Sequence, residues 1–206
     1  MGRRKYSRIQ EGVGLSFHLL ISSSRYPTPT VRTLMRDLHT VIPGSHRVNR
    51  GKMSLEMLAE TGLQLGVKYV MLVARWRGGP GKLEFYGVNR GGLKLLPPIV
   101  YIKGVRFQRE YEFSWRKLRI RPKRLFTLKS VGGAAKISEA LSRFFGSEGT
   151  VESVGNAGEG SVFLEVGEAQ PHRITFHSKV KGRIVEVGPS ITVRHVVWRV
   201  EKPEEG

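Results

Sequence analysis

Six residues, Arg47-Val48-Asn49-Arg50-Gly51-Lys52, bring three cations, an amide and a glycine into one short stretch. Arginine guanidinium groups fork onto phosphate oxygens, and an asparagine amide reads a base edge or a 2′-hydroxyl. A glycine lets backbone approach closely or take a positive φ. Such a stretch suits recognition of a phosphodiester chain. Arg25, Arg32 and Arg36 extend it upstream, with Arg32 and Arg36 four apart and so stacked on a helix. Like charges at that spacing repel by about 0.2–0.5 kcal/mol, a cost that an anion lying across them removes. Downstream, Arg75, Arg77 and Lys82 flank the turn Gly78-Gly79-Pro80-Gly81, and Arg116, Lys117 and Arg119 belong to a basic run that reaches Arg124. The plainer reading of each position is solvated surface charge.

Catalytic chemistry finds little footing. Gly81-Lys82 hints at a phosphate-binding loop, but Trp76 and Leu83 stand where that motif needs a glycine and a hydroxyl, and a strand is expected to follow. Gly12-Val13-Gly14 precedes a strand, the wrong side for a dinucleotide fold. The six histidines are scattered. His172 and His177, five apart on an expected strand, face opposite ways. Glu110 and Glu112 share an expected strand face and are the one carboxylate pair placed for two-metal or acid–base work in the basic region. No enzyme activity, cofactor, metal or small-molecule substrate is expected.

Composition says what kind of partner to expect. The net charge of +18 is unevenly spread. Residues 1–124 hold 25 Lys/Arg against 7 Asp/Glu, and residues 125–206 hold ten of each. A polyanion site would produce that segregation, and nucleic acid is the leading candidate because neutralising its phosphates releases counterions. The absence of cysteine excludes a disulfide scaffold, a thiol nucleophile and Cys-based zinc. No apolar run approaches the roughly 18 residues of a membrane span, so a cytoplasmic protein with no membrane partner is expected.

Several elements must position these residues. Residues 1–12 read as a basic arm. Leu15 to Ile21 alternate as a strand. Thr28 caps a helix with Pro29 at its first position and Val31, Leu34, Met35, Leu38 and Ile42 along one stripe. Ser54 caps a second helix, with Leu55, Leu58, Ala59, Gly62 and Leu65 inward and Gly66 at its end. Tyr69–Trp76 reads as a central strand, hairpinned to Leu83–Val88. Leu93–Ile102 comes next, where Pro97-Pro98 argues for an edge strand or a bend. Residues 105–121 read as an extended connection. Its Phe107, Tyr111, Phe113 and Trp115 are expected to be core rather than base-stacking groups. After Leu125–Leu128 come a helix at Ala134–Phe145 and strands at Val151–Val154, Val162–Val166, Arg173–His177, Arg183–Val187 and Ile191–Val200.

The order of several blocks carries a further implication. Ile21-Ser22-Ser23-Ser24-Arg25-Tyr26-Pro27, Leu34 to Leu38, Ile42-Pro43 and Arg47 to Leu55 come first. Arg77-Gly78-Gly79-Pro80-Gly81, Ile174-Thr175-Phe176-His177 and Glu186-Val187-Gly188-Pro189 come later. Together they resemble the Brix domain, in its Imp4-like branch of ribosome-assembly proteins, and the short ends match the compact archaeal form. The resemblance implies an α/β fold of the α+β type with two similar halves. Each would be a mixed sheet packed with helices, similar to the anticodon-binding domain of class II aminoacyl-tRNA synthetases. One Brix domain would then span 1–206, with a basic half at about 13–104, a connector at about 105–124 and a neutral half at about 125–202. It also implies a non-catalytic RNA-binding factor in ribosome biogenesis. Its partners would be ribosomal RNA or its precursor, and other assembly proteins. A structural ribosomal protein and a tRNA-binding accessory module are the alternatives.

Overall fold

In the computed structural model the described residues are 17–114, 117, 121–154, 158 and 160–199. Eleven strands join in a single mixed sheet. The first strand, β1 (Leu19–Ser23), is buried along its whole length. It runs parallel to both neighbours, β2 (Ser45–Arg47) and β3 (Tyr69–Trp76). From β3 the sheet continues antiparallel through β4 (Gly79–Asn89) and β5 (Gly92–Arg106).

Helix α1 (Pro29–Val41) links β1 to β2. Thr28 caps it, its hydroxyl accepting from the Val31 N–H at 3.4 Å, with Pro29 just inside. Val31, Leu34, Met35 and Leu38 are buried as their spacing predicts. Helix α2 (Leu55–Gln64) starts behind Ser54, whose hydroxyl accepts from the Met57 N–H at 3.2 Å. Its buried line is Leu58, Ala59 and Gly62. Leu55, expected inward, is exposed.

The second part of the sheet consists of β6 (Arg124–Leu128), β7 (Thr150–Val151), β8 (Ser161–Val166), β9 (Arg173–Val180), β10 (Arg183–Glu186) and β11 (Ser190–Val197). Helix α3 (Gly132–Phe145) links β6 to β7. The pairing senses recur. β6 lies parallel to β7 and β8, then β9 and β11 continue antiparallel, in the order that β1, β2, β3, β4 and β5 already show. β5 pairs antiparallel with β11 and makes the sheet continuous.

Helices α1 and α3 cover one face of the sheet. Phe144 of α3 stacks on Phe85 of β4 at 4.3 Å between ring centres and meets Tyr69 of β3 edge-on. A single core therefore spans both parts. Helix α2 covers the opposite face of the first part over Leu20, Val70 and Leu72. Among the described residues, no helix is long and apolar enough to cross a membrane.

Three sequence expectations need correction. Pro97 and Pro98 do not mark an edge: β5 lies between β4 and β11. Register slips between Leu83 and Phe85 on the facing strand, and the prolines, which cannot donate, sit opposite that slip. The segment after Arg106 is not extended. It turns at once into a 3-10 helix, Gln108–Glu110, and the Glu110 carboxylate accepts from the Phe107 N–H. Glu110 and Glu112 therefore share no strand face. The strand expected at Val151–Val154 ends at Val151. Phe107 and Tyr111 are buried as expected, whereas Trp115 lies outside the described residues.

Candidate nucleic-acid interface

Parallel strands end together, and in open α/β sheets ligands bind beyond their carboxyl ends. Here β2, β1 and β3 run in the same direction and end in a staircase at Arg47, Ser23 and Trp76: Arg47 is level with Ile21, Ser23 is level with Val73, and β3 runs on to Trp76. With strands about 4.8 Å apart and a rise of about 3.3 Å per residue, the ends spread over roughly 10 Å across the sheet and roughly 16 Å along it from Arg47 to Trp76. Cationic side chains cluster at all three ends. Arg25 leaves β1 and is exposed; Arg47 closes β2, with Asn49 and Lys52 just beyond it; Arg75 and Arg77 close β3. Residues far apart in sequence are thus gathered along one edge.

The edge is pinned to the sheet by hydrogen bonds. The Val48 N–H donates to the Ile21 carbonyl at 3.0 Å, and the Ser22 hydroxyl donates to the Val48 carbonyl at 3.1 Å. The Arg75 N–H donates to the Ser24 hydroxyl at 3.2 Å. Gly51 takes φ +56° with open space around it, so the turn needs glycine for its backbone rather than for room.

Arg50 differs from its neighbours. It is 8% exposed, its Nε donates to the Met53 carbonyl at 3.1 Å, and an Nη reaches the Ser23 carbonyl at 3.5 Å. Burial first, and Arg25 second, lower its pKa. Its fork is spent on closing the turn, so the expected bidentate phosphate contact does not fit this geometry. Arg47 instead donates to the Asn49 Oδ1 at 2.8 Å, which fixes the amide's orientation.

The other sequence candidates divide. Arg32 and Arg36 are exposed on the outer face of α1, and Arg32 folds back to donate to the Pro27 carbonyl at 2.8 Å. Lys82 lies near the edge, but its ammonium pairs with Glu84 at 2.6 Å and stands over the Tyr101 ring. Lys117 is exposed, with its ammonium donating to the Tyr111 carbonyl. Arg116 and Arg119 lie outside the described residues.

Two side chains on this edge escaped the sequence reading. Tyr26 is 77% exposed and Trp76 is 60% exposed. Each sits beside an arginine at the end of a strand, and that adjacency was the signal available. At the far end of α1, His39 lies near Arg121, Arg47 and His46. His39 bonds through Nδ1 to the Ser45 hydroxyl at 3.0 Å, in a cleft of about 270 Å³ that also includes Arg121. Burial, then Arg121, Arg47 and His46, push its pKa down to about 4.

The matching strand ends of the second part look different. Lys129 after β6 pairs with Glu152 after β7 at 2.7 Å, and Glu168 after β8 accepts from the Val131 N–H at 3.2 Å. Among the described residues, no group of three metal-ligating side chains comes together.

The fold and the ordered blocks place the chain beside archaeal Imp4-like proteins. A crystal structure of a probable ribosomal biogenesis protein from Aeropyrum pernix superposes with a TM-score of 0.69 at 25% identity, over 92% of this chain and 98% of that one. Mil, an archaeal Imp4-like protein, shares the fold with a TM-score of 0.58 at 20% identity, over 87% of this chain and 99% of its own. No family model matches the chain. Among curated proteins, a probable Brix domain-containing ribosomal biogenesis protein of Aeropyrum pernix is 35% identical over 101 residues, which is 48% of this chain and 55% of the relative. One of Pyrococcus horikoshii is 33% identical over 47% of this chain and 42% of its own length. The chain thus matches about half the length of these relatives. A relative in Methanopyrus kandleri aligns over 84% of this chain and 92% of its own length at 27% identity. The chain is a homologue of the archaeal Brix domain-containing ribosomal biogenesis proteins, of Imp4-like fold.

Proposed function

We propose that the chain is a non-catalytic RNA-binding factor of ribosome biogenesis that holds ribosomal RNA or its precursor during subunit assembly, in the cytoplasm. One observation carries this reading: Arg25, Arg47, Lys52, Arg75 and Arg77 all lie at or just beyond the carboxyl ends of the parallel strands β2, β1 and β3, whereas the matching ends of the second part carry Glu152 and Glu168. Phosphate contacts of this kind position a strand, and Asn49, with its amide oriented by Arg47, is the group able to read a base or a ribose hydroxyl. The names of the relatives support the biological setting.

The recurring strand order supports the finer reading of two halves, each similar to the anticodon-binding domain of class II aminoacyl-tRNA synthetases, a module that itself grips RNA. On this reading the neutral part completes the fold and meets other assembly proteins.

Co-sedimentation tests the proposal. An assembly factor appears on precursor particles and is missing from mature subunits, and crosslinked fragments map to ribosomal transcripts. Presence on mature subunits would make the chain a ribosomal protein, and fragments dominated by tRNA would make it a tRNA-binding module.

A further inference from the structure

Tyr26 and Trp76 stand where large rings are rare, almost free of the fold at the ends of adjacent strands β1 and β3. Neither exposure is accidental to the backbone. Tyr26 has φ +54°, a left-handed conformation unusual for a bulky residue, whereas Arg77, after Trp76, takes φ +45° as the first residue of the two-residue Arg77-Gly78 hairpin turn. Strain like that at Tyr26 persists where the surroundings hold it, and it clusters at ligand sites. Trp76 is also built in from below. A Cβ at the buried Gly81 would overlap the Trp76 Cβ and crowd its backbone N at 2.9 Å. The glycine therefore lets the facing strand come right up to Trp76, and register slips between Ala74 and Arg75 just before it. The indole base is gripped while its ring stays in solvent.

Arg25 directly precedes Tyr26, and Arg75 and Arg77 flank Trp76 along the chain, all three exposed. Ring faces interleaved with guanidinium groups are how proteins hold unpaired nucleic acid: cations track the backbone and bases stack on the rings. We infer that Trp76 and Tyr26 are stacking platforms for unpaired bases of the RNA strand whose phosphates the edge arginines hold. This rests on the RNA-binding reading and narrows it to single-stranded or looped RNA. A duplex, whose bases stack on one another, offers nothing to these rings.

The test uses the full chain with a single-stranded RNA oligonucleotide and its duplex counterpart, with affinity measured by fluorescence anisotropy at several salt concentrations. Trp76→Ala is expected to weaken single-strand binding about 5- to 150-fold, the equivalent of ~1–3 kcal/mol for one stacked base, with the salt slope unchanged. Tyr26→Ala acts in the same direction, and Trp76→Phe restores most of the loss. Gly81→Ala, which displaces the ring without deleting it, gives an intermediate loss. Circular dichroism and melting temperature check that each variant folds, and Trp76 and Tyr26 are exposed enough to change without unfolding the sheet. Single-strand binding that keeps wild-type salt dependence while both alanine variants stay within twofold of wild type would overturn the stacking role and leave the role of the edge arginines standing. Equal losses on single strand and duplex would also overturn it. A wild-type chain that binds neither RNA would overturn both readings.

Discussion

Arg47 and Arg50 are three residues apart and the sequence treats them alike, yet the structure gives them opposite tasks. Arg50 spends its guanidinium on two backbone carbonyls inside the protein, and Arg47 stays at the surface with Asn49. Arg50→Ala should therefore cost about 1–3 kcal/mol of stability, because the Met53 and Ser23 carbonyls lose their donor. Arg47→Ala should change stability by less than about 0.5 kcal/mol. Urea denaturation of the two variants measures the difference, and equal losses would contradict the assignment. His39 makes a second prediction at this scale. The folded chain holds it neutral down to about pH 4, against an ordinary value of 6.5, through burial first and then Arg121, Arg47 and His46. Between those pH values the unfolded chain binds more protons, so stability falls as pH drops from 6.5 toward 4. His39→Gln should flatten that fall, as read from urea midpoints at successive pH values. Residue identity alone could not separate Arg47 from Arg50, because the difference lies in which carbonyls the turn brings within reach.

Elements were far more legible than roles. Thr28, Pro29 and Ser54 announce both helix starts, and the stripe from Val31 to Leu38 fixes which face α1 buries. The connector after Arg106 was illegible for a physical reason. Its alternating aromatics imitate a strand, but Phe107 and Tyr111 are buried by a 3-10 turn that folds onto residues about 80 positions later. The Gln108 side chain donates to the Gly188 carbonyl at 3.0 Å, and its backbone N–H donates to Asp37 of α1 at 3.0 Å. Tyr111 lies against Gly188 and donates to Glu186 at 2.7 Å; burial above all pushes its pKa up to about 12. The block Glu186-Val187-Gly188-Pro189 is thus a latch for the connector. Gly188 has φ +63°, and a Cβ there would press into the Tyr111 ring. Gly188→Ala should destabilise the protein by about 2–5 kcal/mol, from overpacking and left-handed strain together. Thermal unfolding of that variant measures it, and an unchanged midpoint would show that the latch is dispensable.

At the scale of the whole molecule, one sheet carries two runs of the same strand order with very different chemistry at their ends. Because β5 and β11 pair antiparallel, the two sets of parallel strand ends point in opposite directions along the sheet. The charge count foretold that the leading part would bear the excess. It could not foretell that the loops after β1, β2 and β3 would leave the same end of the sheet, since that requires parallel pairing between residues about 25 and 50 positions apart. Salt dependence of RNA binding tests the resulting picture most directly. For single strands each phosphate contact contributes about −0.7 to the slope of log affinity against log salt. Replacing Arg25, Arg47, Arg75 and Arg77 together by glutamine should flatten the slope by roughly 2–3 units and leave the fold intact, while replacing Lys129, Arg143 and Arg173 of the second part should leave the slope near that of the wild type. A slope that survives loss of the edge arginines, or that falls equally with the other set, would contradict the account.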